Sequence, residues 1–324
     1  MITIKDVANK AGVSVTTVSR VMNNRGPLSE ATKKAVHDAM EELGYLPNDV
    51  ARALGKNSMN IIGLIIPGLK HPFFGEMVHE FEYYAHERDY KLMVFATEYD
   101  TEKEKRCINL MRRNMVDGII YASHSVGGDF QKGIHIPAVI VENEFNGIPA
   151  ILSDNVQGGT MAARHLIARG CRNLVHITGR RKQYVRPDSR TGAFLAECER
   201  SHVPCKVYYT TRDMFVQMEY SEVIGQVFGE NPDMDGIFAS SDIIGAQCMQ
   251  AALSLGYRIP EQIKIVGYDD TCISHLTYPP MTTVRQNLKE IVRTAVDTLM
   301  DLIEGKEVEA VQKISVAFIE RRTT

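Results

Sequence analysis

Apolar positions recur every three or four residues in three short stretches at the start of the chain, and residues 1–46 contain no run with the two-residue period of a strand. In the first stretch Val7, Ala8 and Ala11 share one helical face. Thr3 with Asp6 three residues on has the spacing of a capping box, and Gly12 ends the helix. Ser14 predicts the cap of a second helix, in which Val18 and Val21 point one way while Thr16, Thr17, Ser19 and Arg20 cover the remaining surface. Asn23-Asn24-Arg25-Gly26-Pro27 reads as a turn. A third helix is predicted from a Ser29 cap through Val36, Met40 and Leu43 to Gly44, which suits a left-handed C-terminal conformation.

Pro47-Asn48-Asp49 then opens a short stretch, Val50-Ala51-Arg52-Ala53-Leu54, followed by polar Gly55-Lys56-Asn57-Ser58. This reads as a linker with one marginal helical turn. From Asn60 onward apolar runs alternate with amphipathic stretches, the pattern of an α/β protein with parallel sheets. Strands are predicted at 61–66, 91–96, 118–122, 138–141, 174–178, 236–239 and 263–267. Between them run helices such as those predicted at 74–88, 102–115, 158–168, 243–255 and 288–304. That is too many strands for one small sheet, so two doubly wound lobes are expected. The expected domains are 1–46, a 47–58 linker and 59–324. Ligands in such sheets bind outside the carboxyl ends of strands, which makes the residues just after them the candidate site.

Composition narrows the class. Of 324 residues, 44% are apolar and 24% charged, as in an ordinary soluble globular protein. The net charge of −3 hides an asymmetry: residues 1–35 carry six basic residues (Lys5, Lys10, Arg20, Arg25, Lys33, Lys34) against two acidic ones. Six scattered cysteines lack C-x-x-C or zinc spacing and read as free thiols in a reducing compartment. The first residues lack the apolar core of a signal peptide, and the best apolar run, Ile61–Ile66, is too short to span a bilayer. A cytoplasmic protein without membrane contact is therefore expected.

A helix, a glycine-containing turn and a second helix bearing small polar groups and an arginine describe a helix-turn-helix, whose second helix enters the DNA major groove. An ordinary α-hairpin is the bland alternative. Serine and threonine can contact phosphates, and Arg20 can donate to two acceptors of guanine. The linker helix, with Asn48, Arg52 and Leu54, suits the minor groove, where an apolar wedge can part a base step. Leu54 could equally pack on the large domain.

The run Thr3-Ile-Lys-Asp-Val-Ala-Asn-Lys-Ala-Gly-Val-Ser-Val-Thr-Thr-Val-Ser-Arg-Val resembles the signature of the LacI/GalR family of repressors. The likeness continues through Glu42-Leu-Gly-Tyr-Leu-Pro-Asn and Val50-Ala-Arg-Ala-Leu, similar to that family's hinge helix, and through the core. It implies that Val15, Thr16 and Arg20 read bases and that Ser14, Thr17, Ser19, Asn23, Ser29, Thr32 and Asn48 position the phosphate backbone. Leu54 would be the intercalating wedge. Gly55, where relatives often have alanine or a basic residue, departs from the pattern and weakens the hinge helix by about 1 kcal/mol relative to alanine.

In the core, Ile66-Pro-Gly-Leu-Lys-His-Pro-Phe-Phe-Gly-Glu resembles the family's strand-to-helix loop, and Phe74 matches an aromatic that stacks on a bound sugar or base. Packing beneath the helix is its alternative. Arg190 matches the family's arginine four residues before an aromatic, here Phe194, and its guanidinium could bind vicinal hydroxyls or a carboxylate. Ala193 stands where relatives have glycine, so Arg186 remains a second choice. Ser241 matches a polar pocket position, with Asp242 expected to cap the next helix. Asp269 matches the aspartate that accepts hydrogen bonds from ligand hydroxyls, and Asp270 is expected to be structural. Ser123 and Asn143, near predicted strand ends, are further pocket candidates, with solvent-facing loops as the alternative. Adjacent carboxylates on a strand end diverge, which disfavours glycosidase chemistry. Neither a metal cluster, a G-x-G-x-x-G run nor a P-loop is present, so no catalytic residue, metal or cofactor is expected.

The expected fold is thus a two-lobed, periplasmic-binding-protein-like effector core of doubly wound parallel sheets with a small all-α helix-turn-helix domain. The expected function is sequence-specific transcriptional regulation, with repression as the default. A small molecule between the lobes, a sugar or sugar derivative, would control it. The resemblance implies a homodimer on pseudopalindromic double-stranded operator DNA. Because the chain stops at Val316-Ala-Phe-Ile-Glu-Arg-Arg-Thr-Thr without the family's tetramerising heptad helix, a dimer is favoured over a tetramer. The alternatives are a sugar-binding or sugar-processing protein without gene control, and a regulator answering to a purine or a partner protein.

Overall fold

The computed structural model describes residues 2–22, 26–45, 58–113, 116–123, 136–145, 147–179 and 189–324. It divides into two compact units, Met1–Met59 and Asn60–Thr324. The first holds α1 (Ile4–Ala11), α2 (Val15–Met22) and α3 (Glu30–Leu43). Each cap follows from the local sequence. The Asp6 carboxylate accepts from the Thr3 N–H and hydroxyl, both at 2.8 Å, while Ser14 and Ser29 Oγ accept from the N–H groups of Thr17 and Thr32 at 3.1 Å. Gly12 (φ 68°) and Gly44 (φ 60°) close α1 and α3 in the left-handed region. The core is small: Val7, Ala8, Val18, Val21, Val36 and Ala39 are buried together, flanked by half-buried Leu28, Leu43 and Tyr45.

The second unit contains two six-stranded sheets. In chain order its elements are β1 (Ile61–Ile66), α4 (Pro72–His86), β2 (Lys91–Ala96), α5 (Thr101–Arg113), β3 (Gly118–Tyr121), β4 (Ala138–Val141), β5 (Ala150–Ser153), α6 (Asn155–Ala168), β6 (Leu174–Gly179) and α7 (Ser189–Arg200). There follow β7 (Cys205–Thr210), α8 (Arg212–Gln217), α9 (Ser221–Glu230), β8 (Gly236–Ala239), α10 (Asp242–Ser254), β9 (Lys264–Asp269), α11 (Cys272–Leu276), β10 (Thr282–Arg285), α12 (Leu288–Ile303), β11 (Val311–Ile314) and β12 (Ala317–Ile319). The strand orders are β11-β5-β4-β3-β1-β2 and β12-β10-β9-β8-β6-β7. All pairings are parallel except that of edge strand β12 with β10. Helices α4 and α12 cover one face of the first sheet and α5 the other. Helices α9 and α10 cover one face of the second sheet, α6 and α7 the other. With both faces covered, central strands such as β3, β4 and β8 are buried at every position.

The chain passes between the lobes after β5, after β10 and after β11. Contacts among residues that follow strand carboxyl ends bring those ends of the two sheets together, as in the hydrogen bond from Arg212 Nε to Glu98 O at 2.6 Å. Strand β9 runs two residues beyond its predicted end, making Asp269 the last strand residue. Five strands (β5, β7, β10, β11 and β12) fall outside the apolar runs that predict the others. All six cysteines are free thiols. Among the described residues no helix is long and apolar enough to cross a membrane.

Candidate functional site

On α2, Val18 and Val21 are buried, while Thr16 and Arg20 are exposed on the far side and Val15 is exposed at the helix start. Ser14 and Thr17 hydroxyls lie 2.9 Å apart at the start of α2, and those of Ser29 and Thr32 lie 2.8 Å apart at the start of α3. These hydroxyls therefore mark the two helix N-termini, where unpaired N–H groups favour anions. Ser19 is half-buried. Asn23, Asn48, Leu54 and Arg186 lie outside the described residues.

In the second unit, a polar chain crosses between the lobes. Arg190, at the start of α7, donates from Nε (3.0 Å) and Nη2 (2.7 Å) to Asn155 Oδ1 and from Nη1 to Ser240 O (2.8 Å). Its Cζ lies over the Tyr268 ring. Asn155 Nδ2 donates onward to Glu142 Oε2 at 3.2 Å, and Glu142 Oε1 accepts from Ser153 N–H at 2.6 Å. A parallel chain runs from Ser153 Oγ to Gln286 Oε1 (2.5 Å) and from Gln286 Nε2 to Asp269 Oδ1 (2.6 Å). Two glycines of α6 permit this: a Cβ on Gly158 would meet the Tyr268 hydroxyl at 2.5 Å, and one on Gly159 would meet Arg190 O at 2.1 Å.

Asp269 and Glu142 both have positive φ, 103° and 58°. Such backbone costs about 1 to 3 kcal/mol in a non-glycine residue and marks sites where side-chain aim matters. Burial raises the Asp269 carboxyl well above the ordinary range, with the Arg190 charge acting in the other direction. Asp270, by contrast, turns away to Arg285, Arg321 and Ser274 and is structural, as expected.

Phe74 is buried in the core of the first lobe yet reaches the second, edge-on to Phe215 of α8 at 6.2 Å. His71 and Tyr99 also approach Phe215, at 5.8 and 4.9 Å. Ser123 is fully buried, donating to Glu104 Oε1 at 2.6 Å beside Tyr121 and Thr97, which bond the same carboxylate. Asn143 is buried too, its Nδ2 donating to Ser123 O at 3.3 Å, so neither lies in a solvent-facing loop. Ser241 corrects one expectation: it, and not Asp242, caps α10, its Oγ accepting from Ile244 N–H at 3.5 Å. Asp242 follows the cap and is sunk into the lobe, where it accepts from Thr271 N–H, Thr271 Oγ1 and Thr283 Oγ1. Burial pushes its carboxyl up to about 7.

The structure thus brings Arg190, Asp269 and Phe74 to the junction of the strand ends, with Ser123, Asn143 and Ser241 buried behind strand ends of their own lobes. Sequence reasoning missed Glu142, Asn155, Tyr268, Gln286, His71 and Phe215.

Residues 3–48 match the model described as bacterial regulatory proteins, lacI family, and residues 163–324 that of a periplasmic binding protein-like domain. The chain is 35% identical to the sucrose operon repressor of Streptococcus mutans, over 94% of this chain and 93% of that one. It is 33% identical to the ribose operon repressor of Halalkalibacterium halodurans, over 100% and 97%. Among solved structures, the lac repressor dimer bound to operator and the anti-inducer ONPF matches with a TM-score of 0.86 at 25% identity, over 99% of this chain and 98% of that one.

Proposed function

The chain belongs to the lacI family of bacterial regulatory proteins, and from that premise we propose how this repressor reads DNA and which class of effector releases or fixes it. Helix α2 is the recognition helix. Val15, Thr16 and Arg20 reach base edges in the major groove, while Ser14, Thr17, Ser19, Asn23, Ser29, Thr32 and Asn48 hold phosphates. Residues 47–58 form the hinge, with Leu54 as the minor-groove wedge. A homodimer presents two such units to a pseudopalindromic operator in the cytoplasm, where the DNA is.

The effector is a neutral sugar. The observation carrying this reading is the pair of polar chains, Arg190–Asn155–Glu142 and Asp269–Gln286–Ser153, at the meeting strand ends. One guanidinium faces two carboxyl groups there, so vicinal hydroxyls suit the cleft better than an anion does. Phe74 and Phe215 supply apolar faces for the ring. Asp270 is committed to Arg285 and Arg321, so it does not form a carboxylate pair with Asp269 across a bound ligand.

Both chains join groups from the two lobes, so a ligand taking over these bonds alters lobe closure, and the dimer passes that change to the hinges. Only a difference in ligand affinity between the two states can drive it. Thermal unfolding of the full-length chain against neutral sugars, sugar phosphates and purines tests the effector class, since a ligand at 100 times its Kd adds about 2.7 kcal/mol. A shift with a neutral sugar is expected. A shift confined to phosphorylated sugars or purines would overturn the reading.

A further inference from the structure

Helix α7 ends in a chain reversal that places one thiol beside another. The Val203 N–H donates to Cys198 O at 2.9 Å and the His202 N–H to Glu199 O at 3.0 Å, with His202 in the left-handed region at φ 52°. This nested pair of bonds folds the chain back on the last turn of the helix and brings Val203 against Cys198. Pro204 O then accepts from Leu174 N–H at 3.0 Å, and Cys205 enters the sheet opposite Leu174 as the first residue of β7. Val203 and Cys205, two residues apart at the strand start, face the side of the sheet that α6 and α7 cover. Cys198, 2% exposed, and Val203 are buried there with Phe194, and half-buried Cys205 packs against the same cluster. The Cys205 thiol also reaches Lys206 O, at a long 3.6 Å. A hydrogen bond between the two thiols lowers Cys198 below the ordinary thiol range and raises Cys205 above it. These opposite signs belong to the pair: one thiol donates to the thiolate of the other, so the first proton leaves readily and the second is retained.

We propose that Cys198 and Cys205 form a thiol-disulfide modification site, closed by exchange with a small disulfide such as glutathione disulfide. Cys205, the more exposed sulfur, carries the pair's charge to one glutathione sulfur; the glutathione S–S bond breaks, one glutathione leaves as thiolate, and a Cys205–glutathione disulfide forms. The Cys198 thiolate then attacks the Cys205 sulfur, and the second glutathione leaves. The two protein thiols lose two electrons, glutathione disulfide is reduced to two thiols, and the two protons pass to the departing glutathiones. Transient disulfides of this kind are the ones that occur in a reducing compartment. The bond joins the end of α7, which carries Arg190 about two turns earlier, to the start of β7, which leads into α8 and Phe215. Oxidation therefore ties together the two elements that hold those side chains.

The test equilibrates the full-length chain, folded and in concentrated urea, in glutathione buffers of graded thiol-to-disulfide ratio, followed by acid quenching, trypsin and mass spectrometry. Tryptic peptides 191–200 and 201–206 carry one cysteine each, so the disulfide leaves them joined. The folded chain should give the joined peptides at a glutathione disulfide level about tenfold or more below that needed by the unfolded chain, and dithiothreitol should separate them. Cys198→Ala should arrest the exchange at a glutathione adduct on peptide 201–206. A folded wild-type chain whose two peptides stay unjoined, or that needs as much glutathione disulfide as the unfolded chain, overturns the proposal, and so does a folded Cys198→Ala chain without the adduct.

Discussion

The guanidinium carbon of Arg190 lies 3.2 Å from the centroid of the Tyr268 ring. Arg190 is the second residue of α7 and Tyr268 the penultimate residue of β9, so the contact ties a helix start to a strand end beside Asp269, where the strand finishes. Stacking holds the guanidinium while Asn155 and Ser240 fix its rotation, and that preorganisation lowers the entropy lost when a ligand arrives.

Arg190→Ala should therefore remove effector binding and leave DNA binding in place. Losing a charged hydrogen-bonding group and its stacking predicts about 100-fold weaker effector affinity, or roughly 3 kcal/mol. Calorimetric titration of the effector checks this, and an affinity within threefold of wild type would remove Arg190 from the site.

Gly159→Ala tests how Arg190 is seated. A Cβ there would lie 2.1 Å from Arg190 O and 3.2 Å from Phe194 N, both backbone atoms, so α6 and α7 must separate. A stability loss of about 3 kcal/mol is expected, at the upper end of ordinary overpacking. Urea unfolding measures it, and a loss below about 0.5 kcal/mol would mean that the helices do not pack this closely.

His71 also gives the fold a signature in pH. Its imidazole is lowered by burial to about 4 in the folded chain, against about 6.5 when unfolded. The unfolded state therefore binds the proton first, so this contribution is complete above pH 6.5 and is lost as pH falls toward 4, by about 3 kcal/mol. Asp242, raised by burial to about 7, acts oppositely: its share of stability falls as pH rises from 4 to 7. The difference between wild type and His71→Phe isolates the histidine. Chemical unfolding at several pH values should show the advantage of the variant widening toward pH 4. A constant difference would contradict a buried neutral imidazole.

Arg20 stands exposed on α2 beside Thr16, one turn earlier. Arg20→Ala should relax preference at one symmetric base pair of the operator, at about 1 to 3 kcal/mol for the preferred base. Binding to a panel of single-base operator variants checks it. Uniform weakening across the panel would make Arg20 a phosphate contact.

The headpiece was legible because each of its signals is local: Ser14, Ser29, Gly12 and Gly44 fix helix ends within a few residues of themselves. In the core, continuous apolar runs exposed the central strands, but β7 begins with Cys205 and Lys206 and lies at a sheet edge, where Lys206 and Tyr209 are exposed and no such run forms. Its Val207, Tyr208, Tyr209 and Thr210 were a usable strand signal. Arg190 and Asp269 were found through resemblance. Asn155 and Gln286 carry no motif; they matter because the chain crosses between lobes beside them, which only the folded topology reveals. His71 was hidden by its neighbours, since Pro72, Phe73 and Phe74 read as an apolar helix start.

The central claim is that a ligand in the cleft controls DNA binding. The most direct measurement is an equilibrium titration of the full-length protein on a duplex that it selects from a random pool, with and without the sugar found by thermal unfolding. The account predicts a selected pseudopalindrome whose affinity changes at least about tenfold, or 1.4 kcal/mol, when the sugar is present. It also predicts no such change in Arg190→Ala. Unchanged DNA affinity at a saturating concentration of a bound sugar would contradict it.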